Sequence, residues 1–193
     1  SSDLAFKAFP RPRLFCGITS GNLDSMVSNY SPSKFRRKKD DFSPGGVPGR
    51  RPDRAVVVYS NRARSAWPGL PLVLGGIEAS MRRLAHYDYW DDSVRRSVLL
   101  DSRADILVYG MGEKAALEIA ARLDAGSADL SGIPGTATVE KQPPQADHLE
   151  IASFDEVSTD KRAYAESFGS QMRESLRRSP RPIAQAHANR YVV

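Results

Sequence analysis

The chain has 193 residues, 40% hydrophobic and 26% charged, with a net charge of +5 at pH 7. That length suits one domain with appendages rather than two full ones, and 13 prolines and 14 glycines predict long irregular connections around the packed part. The one cysteine, Cys16, excludes an internal disulfide framework and any multi-cysteine zinc or iron–sulfur site built by this chain alone. No apolar run approaches the ~20 residues that span a bilayer and no secretory signal pattern is present, so a cytoplasmic location without membrane contact is the default expectation.

RLFCGI, residues 13–18, follows two prolines and reads as a buried strand; a helix is expected after it, with Leu23, Met26, Val27 and Tyr30 at helical spacing. From Ser31 to Asp53 nothing periodic survives, which predicts a long surface loop of the kind that is functional or disordered. Between Tyr30 and Arg54 the cations Lys34, Arg36, Arg37, Lys38, Lys39, Arg50, Arg51 and Arg54 stand against Asp40, Asp41 and Asp53, and this segment carries the whole net charge. A solvated, mobile loop is the ordinary reading of such a run; contact with a polyanion through Lys34, Arg36, Arg37, Lys38, Lys39, Arg50 and Arg51 is the alternative.

AVVVYS, residues 55–60, is rich in β-branched residues and predicts a second buried strand, and PLVLGG, residues 71–76, a third. IEASMRRLAHYDYWDDSVRRSVLL predicts helices over Ala79–Leu84 and Ser93–Leu100, with the aromatic stretch from His86 to Asp92 as the elbow between them. In residues 104–123 a strand from Ile106 to Tyr109 leads through a glycine turn into a helix. Its apolar stripe is Ala116, Ile119, Ala120 and Leu123, its wet side Lys114, Glu118 and Arg122, and its stop signal Gly126. GIPGTATV reads as a short edge strand or hairpin. A last helix is expected from Thr159 to Arg178, with Tyr164, Phe168, Met172 and Leu176 four residues apart, before the chain runs out in the strand-like RYVV.

Apolar strands without alternation, each followed by a turn and a helix, predict the α/β class, with a doubly wound, mostly parallel sheet covered on both faces. Residues 1–126 would form this core, 127–158 an irregular segment, and 159–193 a helix and a linker strand. Ligands of such sheets lie outside the carboxyl ends of the strands, where the strand order reverses. Gly17, the pair Gly75 and Gly76, and the pair Gly110 and Gly112 close three strands there, and the last four mark a candidate crevice. Tight turns account for each glycine singly, and GMGE lacks the third glycine of a dinucleotide fingerprint. Glu78 and Glu113, each just past a glycine turn, would accept from a ligand or favour a helix N-terminus.

The elbow residues His86, Tyr87, Tyr89 and Trp90 have two readings. They stack on a flat ligand, or they pack, with Arg82, Arg83, Arg95 and Arg96 paired to the aspartates and resting on the rings. A metal held by His86, Asp88 and Asp91 or Asp92 is disfavoured, because no second histidine or cysteine lies nearby. No nucleophile and base declare themselves, and Cys16 falls inside a predicted strand where an inert thiol is expected, so no catalytic residue is assigned.

GNLDSMV, SPGGVPGRRPDRAVVVYSNR, PLVLGGIEASMRRLAHYDYWDDSVRRSVLLDSRADILVYGMGE and QAHANRYVV together resemble the N-terminal region of the YgiQ-like radical SAM proteins. The resemblance runs from about Pro12 to the C-terminus and is weakest between Asp124 and Ser153. It implies a Rossmann-like domain of the cobalamin-binding type, in front of a radical SAM barrel expected C-terminal to Val193. That barrel's CxxxCxxC thiolates hold a four-iron four-sulfur cluster, whose open iron binds S-adenosylmethionine for reductive cleavage. Three departures follow from the residues present. Cys16 alone cannot form the cluster, the chain begins after the family's first strand and helix so that its sheet is expected to be incomplete, and Ala188 stands where a glycine is usual. The implied role is an accessory domain, non-catalytic by itself, that covers the active site or binds substrate. An RNA- or polyanion-binding module and a corrinoid- or nucleotide-binding domain are the alternatives, and no cobalamin-binding residue is transferred.

Overall fold

The computed structural model describes residues 3–193. In chain order it contains α1 (Asp3–Lys7), β1 (Cys16–Ile18), α2 (Ser25–Asn29), a 3-10 turn at Pro44–Gly46, α3 (Ala55–Ala66), β2 (Leu72–Leu74) and α4 (Gly76–Met81). Next come β3 (His86–Asp88), β4 (Ser93–Arg95), α5 (Val98–Ser102), β5 (Ile106–Val108) and α6 (Glu113–Asp124). The last third holds β6 (Thr136–Ala137), β7 (Val139–Glu140), β8 (Leu149–Ile151), α7 (Phe154–Thr159), α8 (Lys161–Ser175), β9 (Ile183–His187) and β10 (Arg190–Val192).

β1, β2 and β5 lie parallel in that order, with Cys16 opposite Leu72 and Val73 opposite Ile106; β6 closes the far edge antiparallel to β5. The strands are apolar on both faces because both faces are covered. Leu72, Leu74 and Leu107 pack with Val56, Ala63, Ala79 and Leu99 of the helices on one side, while Val73, Ile106 and Val108 pack with Ala115 and Ile119 of α6 on the other. The fold is α/β. Within this sheet the order runs in one direction, so among the described residues no reversal marks a crevice.

A second sheet has the order β7-β10-β9-β8, antiparallel except for β8 beside β9, and its Ile151, Ala184 and Val192 join the same core as the first sheet. GIPGTATV therefore ends in strands of both sheets. Thr138, between β6 and β7, exchanges backbone hydrogen bonds of 2.9 and 3.0 Å with Val193. RYVV contributes β10, an inner strand flanked by β7 and β9. No helix of the described residues is long and apolar enough to cross a membrane.

Residues 55–60 correct the sequence expectation: they are the first half of α3 and not a strand. Arg54 enters the helix with φ +50 and no capping side chain of its own. Instead, the Ala55 amide donates to Ser25 Oγ (3.0 Å) and the Val56 amide to Glu78 Oε1 (3.1 Å), partners 30 and 22 residues away. Remote caps of this kind outweigh the local strand preference of three valines. Ser93–Leu100 is likewise divided, into β4 and the start of α5, whose first turn is capped by Ser97. In α6 the inward residues are Ala115, Ile119 and Leu123 at strict four-residue spacing, whereas Ala116 is exposed, one step from the expected stripe. Gly126 ends that helix at φ +79, with Ser127 donating to Arg122 O (2.9 Å) and Gly126 to Leu123 O (3.1 Å).

The expected last helix begins at Lys161, after the separate short α7, whose first turn Ser153 and Glu156 cap reciprocally. Its apolar row faces out: Phe168, Met172 and Leu176 are all exposed. β9 and β10 are joined by the two residues Ala188 and Asn189, and Ala188 adopts φ +53. A two-residue hairpin turn with positive φ at its first central position favours glycine, and a Cβ there costs about 1–2 kcal/mol. Ala188→Gly is expected to raise the unfolding free energy by about 1 kcal/mol in urea titrations. An unchanged or lowered value would show that the turn bears no such strain.

Candidate functional site

The stretch from His86 to Arg95 is a β-hairpin rather than an elbow between helices. β3 and β4 pair antiparallel, with His86 opposite Arg95 and Asp88 opposite Ser93, and residues 89–92 form the loop. Side chains alternate along β3: His86 is half-buried, Tyr87 exposed and Asp88 buried. Asp88 organises the turn. One of its oxygens accepts from the amides of Trp90 (2.8 Å) and Asp91 (3.4 Å), the other from Arg54 (2.9 Å). Burial alone would raise this carboxyl, but the Arg54 bonds and the two amides outweigh it and hold it below the ordinary range.

Arg54 and Arg95 both reach Asp91, at 2.6 and 2.9 Å, and Arg96 pairs with Asp101 at 2.6 Å. Of the four arginines expected to pair with the aspartates of the aromatic stretch, Arg95 does so through Asp91, whereas Arg96 pairs with Asp101 outside it. Arg82 pairs with Asp24 instead, and the Arg83 guanidinium lies 4.8 Å from the centre of the Tyr109 ring. Burial pushes the His86 imidazole down to about 4, so it is neutral at pH 7. Its Nδ1 lies 3.2 Å from Leu84 O, which assigns the proton to that nitrogen and leaves Nε2 as an acceptor. His86, Glu78 and Asp88 line a narrow pocket behind the hairpin with Arg54, Arg82 and Arg95. Each of those guanidiniums already faces a carboxylate.

The basic segment folds back onto this hairpin. The Tyr89 hydroxyl donates to Pro32 O (2.7 Å) and Lys34 Nζ to Trp90 O (2.9 Å). The Tyr30 and Trp90 rings sit 4.2 Å apart. Lys34 lies 5.1 Å from the Tyr89 ring centre, and Arg36 lies 5.1 Å from that of Tyr30. The far end of the segment is tied down from beneath. Arg51 is buried, 3.7 Å from buried Asp40 and 2.5 Å from Ser28 Oγ, and Asp53 accepts from Asn29 and Tyr30, both at 2.7 Å. The segment is thus an irregular loop with contacts at both ends, to the hairpin and to α2.

The glycine-marked strand ends lie along one edge, since β2 and β5 are adjacent and parallel. Gly76 has φ +83, and a Cβ on it would fall 2.4 Å from Thr19 Oγ1, so close packing of α4 against the segment after β1 requires it. A Cβ on Gly112 would meet Val108 Cγ1 at 2.9 Å, and Gly110 has φ +69. Gly75, extended, has open space. Glu78 is buried, with both oxygens engaged: Oε2 accepts from the Ser25 amide (2.8 Å) and Oε1 from that of Val56. Glu113, by contrast, is exposed at the first turn of α6.

Four residues that organise this region carry no expectation of touching it, Tyr164 being expected only in the apolar row of the last helix. Asp24 caps α2 through the amides of Met26 and Val27 and pairs with Arg82. Gln185 Oε1 accepts from the Ala85 amide at 2.7 Å, Tyr164 Oη from the Tyr87 amide at 3.0 Å, and His187 stacks on Phe154 at 5.6 Å. Asp24 alone had a local signal, an aspartate opening an apolar helical pattern.

Comparison with known proteins places the whole region. The model of the family described as Radical SAM N-terminal matches residues 1–193. The chain belongs to this family. Among curated relatives, a UPF0313 protein of Thermotoga maritima is 50% identical over 186 residues, covering 95% of this chain and 32% of its own. UPF0313 proteins of Clostridium botulinum and Geobacter sulfurreducens are 47% and 46% identical, each covering 97% of this chain and 30% and 32% of theirs. The chain therefore spans about a third of the length of the curated relatives it matches, and the greater part of those proteins lies beyond the matched region. No solved structure matches the chain.

The iron–sulfur cluster implied by a radical SAM protein does not fit the residues of this Radical SAM N-terminal chain. Cys16 supplies one thiol, half-buried in β1 and pushed up by that burial, and no group of three histidine, cysteine or carboxylate side chains among the described residues could hold a metal ion. Such a cluster would have to be held by the remainder of a longer protein.

Proposed function

We propose that this chain is a Rossmann-like accessory domain of a radical SAM enzyme, and that the carboxyl edge of its parallel sheet covers or completes the mouth of the catalytic barrel. The observation that carries the reading is an apolar rim left open at that edge. Met111, in the turn after β5, is 86% exposed, and Ile77 and Met81, on the helix after β2, are 48% and 66% exposed. Large exposed apolar side chains that follow two adjacent strand ends suit a surface that is covered. Relatives three times as long have the chain to cover it.

Three parallel strands with helices on both faces support the Rossmann-like description, and the same edge would receive a substrate held between domain and barrel. Among the described residues no side chain at this rim favours a corrinoid over another ligand, so none is assigned.

The test uses a full-length relative such as the Thermotoga maritima protein, reconstituted anaerobically with iron and sulfide and reduced with dithionite. Reductive cleavage of S-adenosylmethionine, with one electron from dithionite and a hydrogen atom from substrate or solvent components, would be counted as methionine and 5′-deoxyadenosine. Aspartate at the positions equivalent to Met111 and Ile77 is expected to lower product formation about tenfold or more, because charge is costly in a covered apolar contact. Absence of S-adenosylmethionine cleavage would remove the enzyme assignment. Unchanged turnover in the two aspartate variants would remove the covering role.

A further inference from the structure

We propose that the basic loop and the aromatic hairpin together form a platform for single-stranded nucleic acid, with phosphates on the loop's cations and bases on its exposed rings. The first observation is how the charges are partitioned. Asp40 and Asp53 point inward, to Arg51 and to Asn29 with Tyr30, and Asp88 and Asp91 of the hairpin are matched by Arg54 and Arg95. Lys34, Arg36, Arg37, Lys38, Lys39 and Arg50 are all exposed, and none has a carboxylate within 4.0 Å among the described residues. Two of the segment's three acids serve the anchor, while Asp41 stays exposed, so six exposed cations without a carboxylate partner stand against one exposed acid.

The second observation is the rings that stand among those cations. Phe35 is 74% exposed, Tyr89 58% and Phe42 50%, far more than packing would leave. Arg36, Tyr30, Trp90, Lys34 and Tyr89 form one row in which two cations lie on three rings, and this fixes the platform before any ligand arrives. Phe42 also edges a groove shared with Val27, in which Arg37, Lys38 and Lys39 outnumber Asp40 and Asp41. Unpaired cations alone would suit any polyanion. Flat exposed rings interleaved with them suit a strand whose bases are unstacked and free, because a duplex presents no base faces.

The test is fluorescence anisotropy of the protein with a labelled single-stranded oligouridylate, set against a duplex RNA of equal length. Binding is expected to weaken about tenfold or more between ~50 and ~200 mM salt, through counterion release. The triple variant Lys38→Gln, Lys39→Gln, Arg50→Gln removes three cations with no carboxylate partner and should flatten the log–log salt slope by about 2. The pair Phe35→Ala, Phe42→Ala should weaken binding by about tenfold per ring and leave the slope unchanged. Thermal melts by circular dichroism check that both variants fold as the parent does. No binding at low salt, a slope unmoved by the triple variant, or equal affinity for duplex with no effect of the rings would overturn the proposal. So would displacement of the oligonucleotide by phosphatidylserine vesicles but not by unlabelled oligouridylate, which would assign the surface to membranes. Because the assay needs only this chain, its result is independent of whether the longer relative cleaves S-adenosylmethionine.

Discussion

Glu78→Ala is expected to lower the stability of the domain by about 3–5 kcal/mol, the largest single effect of any substitution outside the apolar core. Glu78 is 1% exposed, and its two oxygens accept from the first amide of α2 and an amide in the first turn of α3. Removing the carboxylate leaves both amides buried without an acceptor, at about 1–3 kcal/mol each, and withdraws the remote cap that makes a helix of AVVVYS. A domain of this size shifts by about 2–4 °C per kcal/mol, so a fall of roughly 10 °C in the melting temperature should be plain. Glu78→Gln keeps one acceptor oxygen and turns an NH2 toward the second amide, so about half the loss is expected. A Glu78→Ala melt within a few degrees of the parent would show that the pocket admits water to both amides.

Acid should destabilise the protein earlier than its carboxylates alone would require. His187 is 5% exposed, neither of its ring nitrogens has a hydrogen-bond partner among the described residues, and burial pushes its imidazole from 6.5 down to about 4. His86 is pushed down to about 4 for the same first reason. Above pH 6.5 both imidazoles are neutral whether the chain is folded or not. As pH falls below 6.5 the unfolded chain takes up protons that the folded one refuses, so stability declines until about pH 4, where both states bind them. The gap between 6.5 and about 4 is worth at most about 3 kcal/mol per histidine, less whatever solvent screening removes. Asp88 and Glu174, whose folded carboxyls are held low, contribute stability that starts to fall near their ordinary values of 3.8 and 4.5 and is lost as pH passes through the folded ones. Urea midpoints measured in steps from about pH 7 to pH 4 should fall throughout, and His187→Phe, which keeps the stack on Phe154, should flatten the decline. A midpoint constant over that window would contradict the burial of these rings.

Which parts of this structure could be read from the residues depended on whether the forces were local. β2, β5 and α6 follow from unbroken apolar runs, a glycine turn and four-residue periodicity, and the stop at Gly126 from its positive φ. α3 could not be read this way, because its amides are capped by Ser25 and Glu78, which lie far off in sequence. The hairpin was obscured differently. His86, Tyr87 and Asp88 do alternate, but the inward positions are polar, so a hydrophobic pattern never appeared; Arg54 pairs with Asp88 from 34 residues away, and the amides of Ala85 and Tyr87 find Gln185 and Tyr164 at separations of 100 and 77. The platform's cations and rings were visible as composition. What composition could not show was which acids turn inward and which rings stay in solvent.

The bond from Ala85 to Gln185 has a consequence for the order in which this domain can be made. β9 and β10 fill the middle of the second sheet, and Gln185, 1% exposed, fixes the backbone just before the aromatic hairpin. During synthesis the Ala85 amide cannot meet its partner until Gln185 has left the ribosome, although the loop and α3 find their anchors within residues 24–95. Closing contacts of such long sequence separation is slow, so the nascent chain passes through a stage in which the amides of Ala85 and Tyr87 still lack the partners that fix the hairpin.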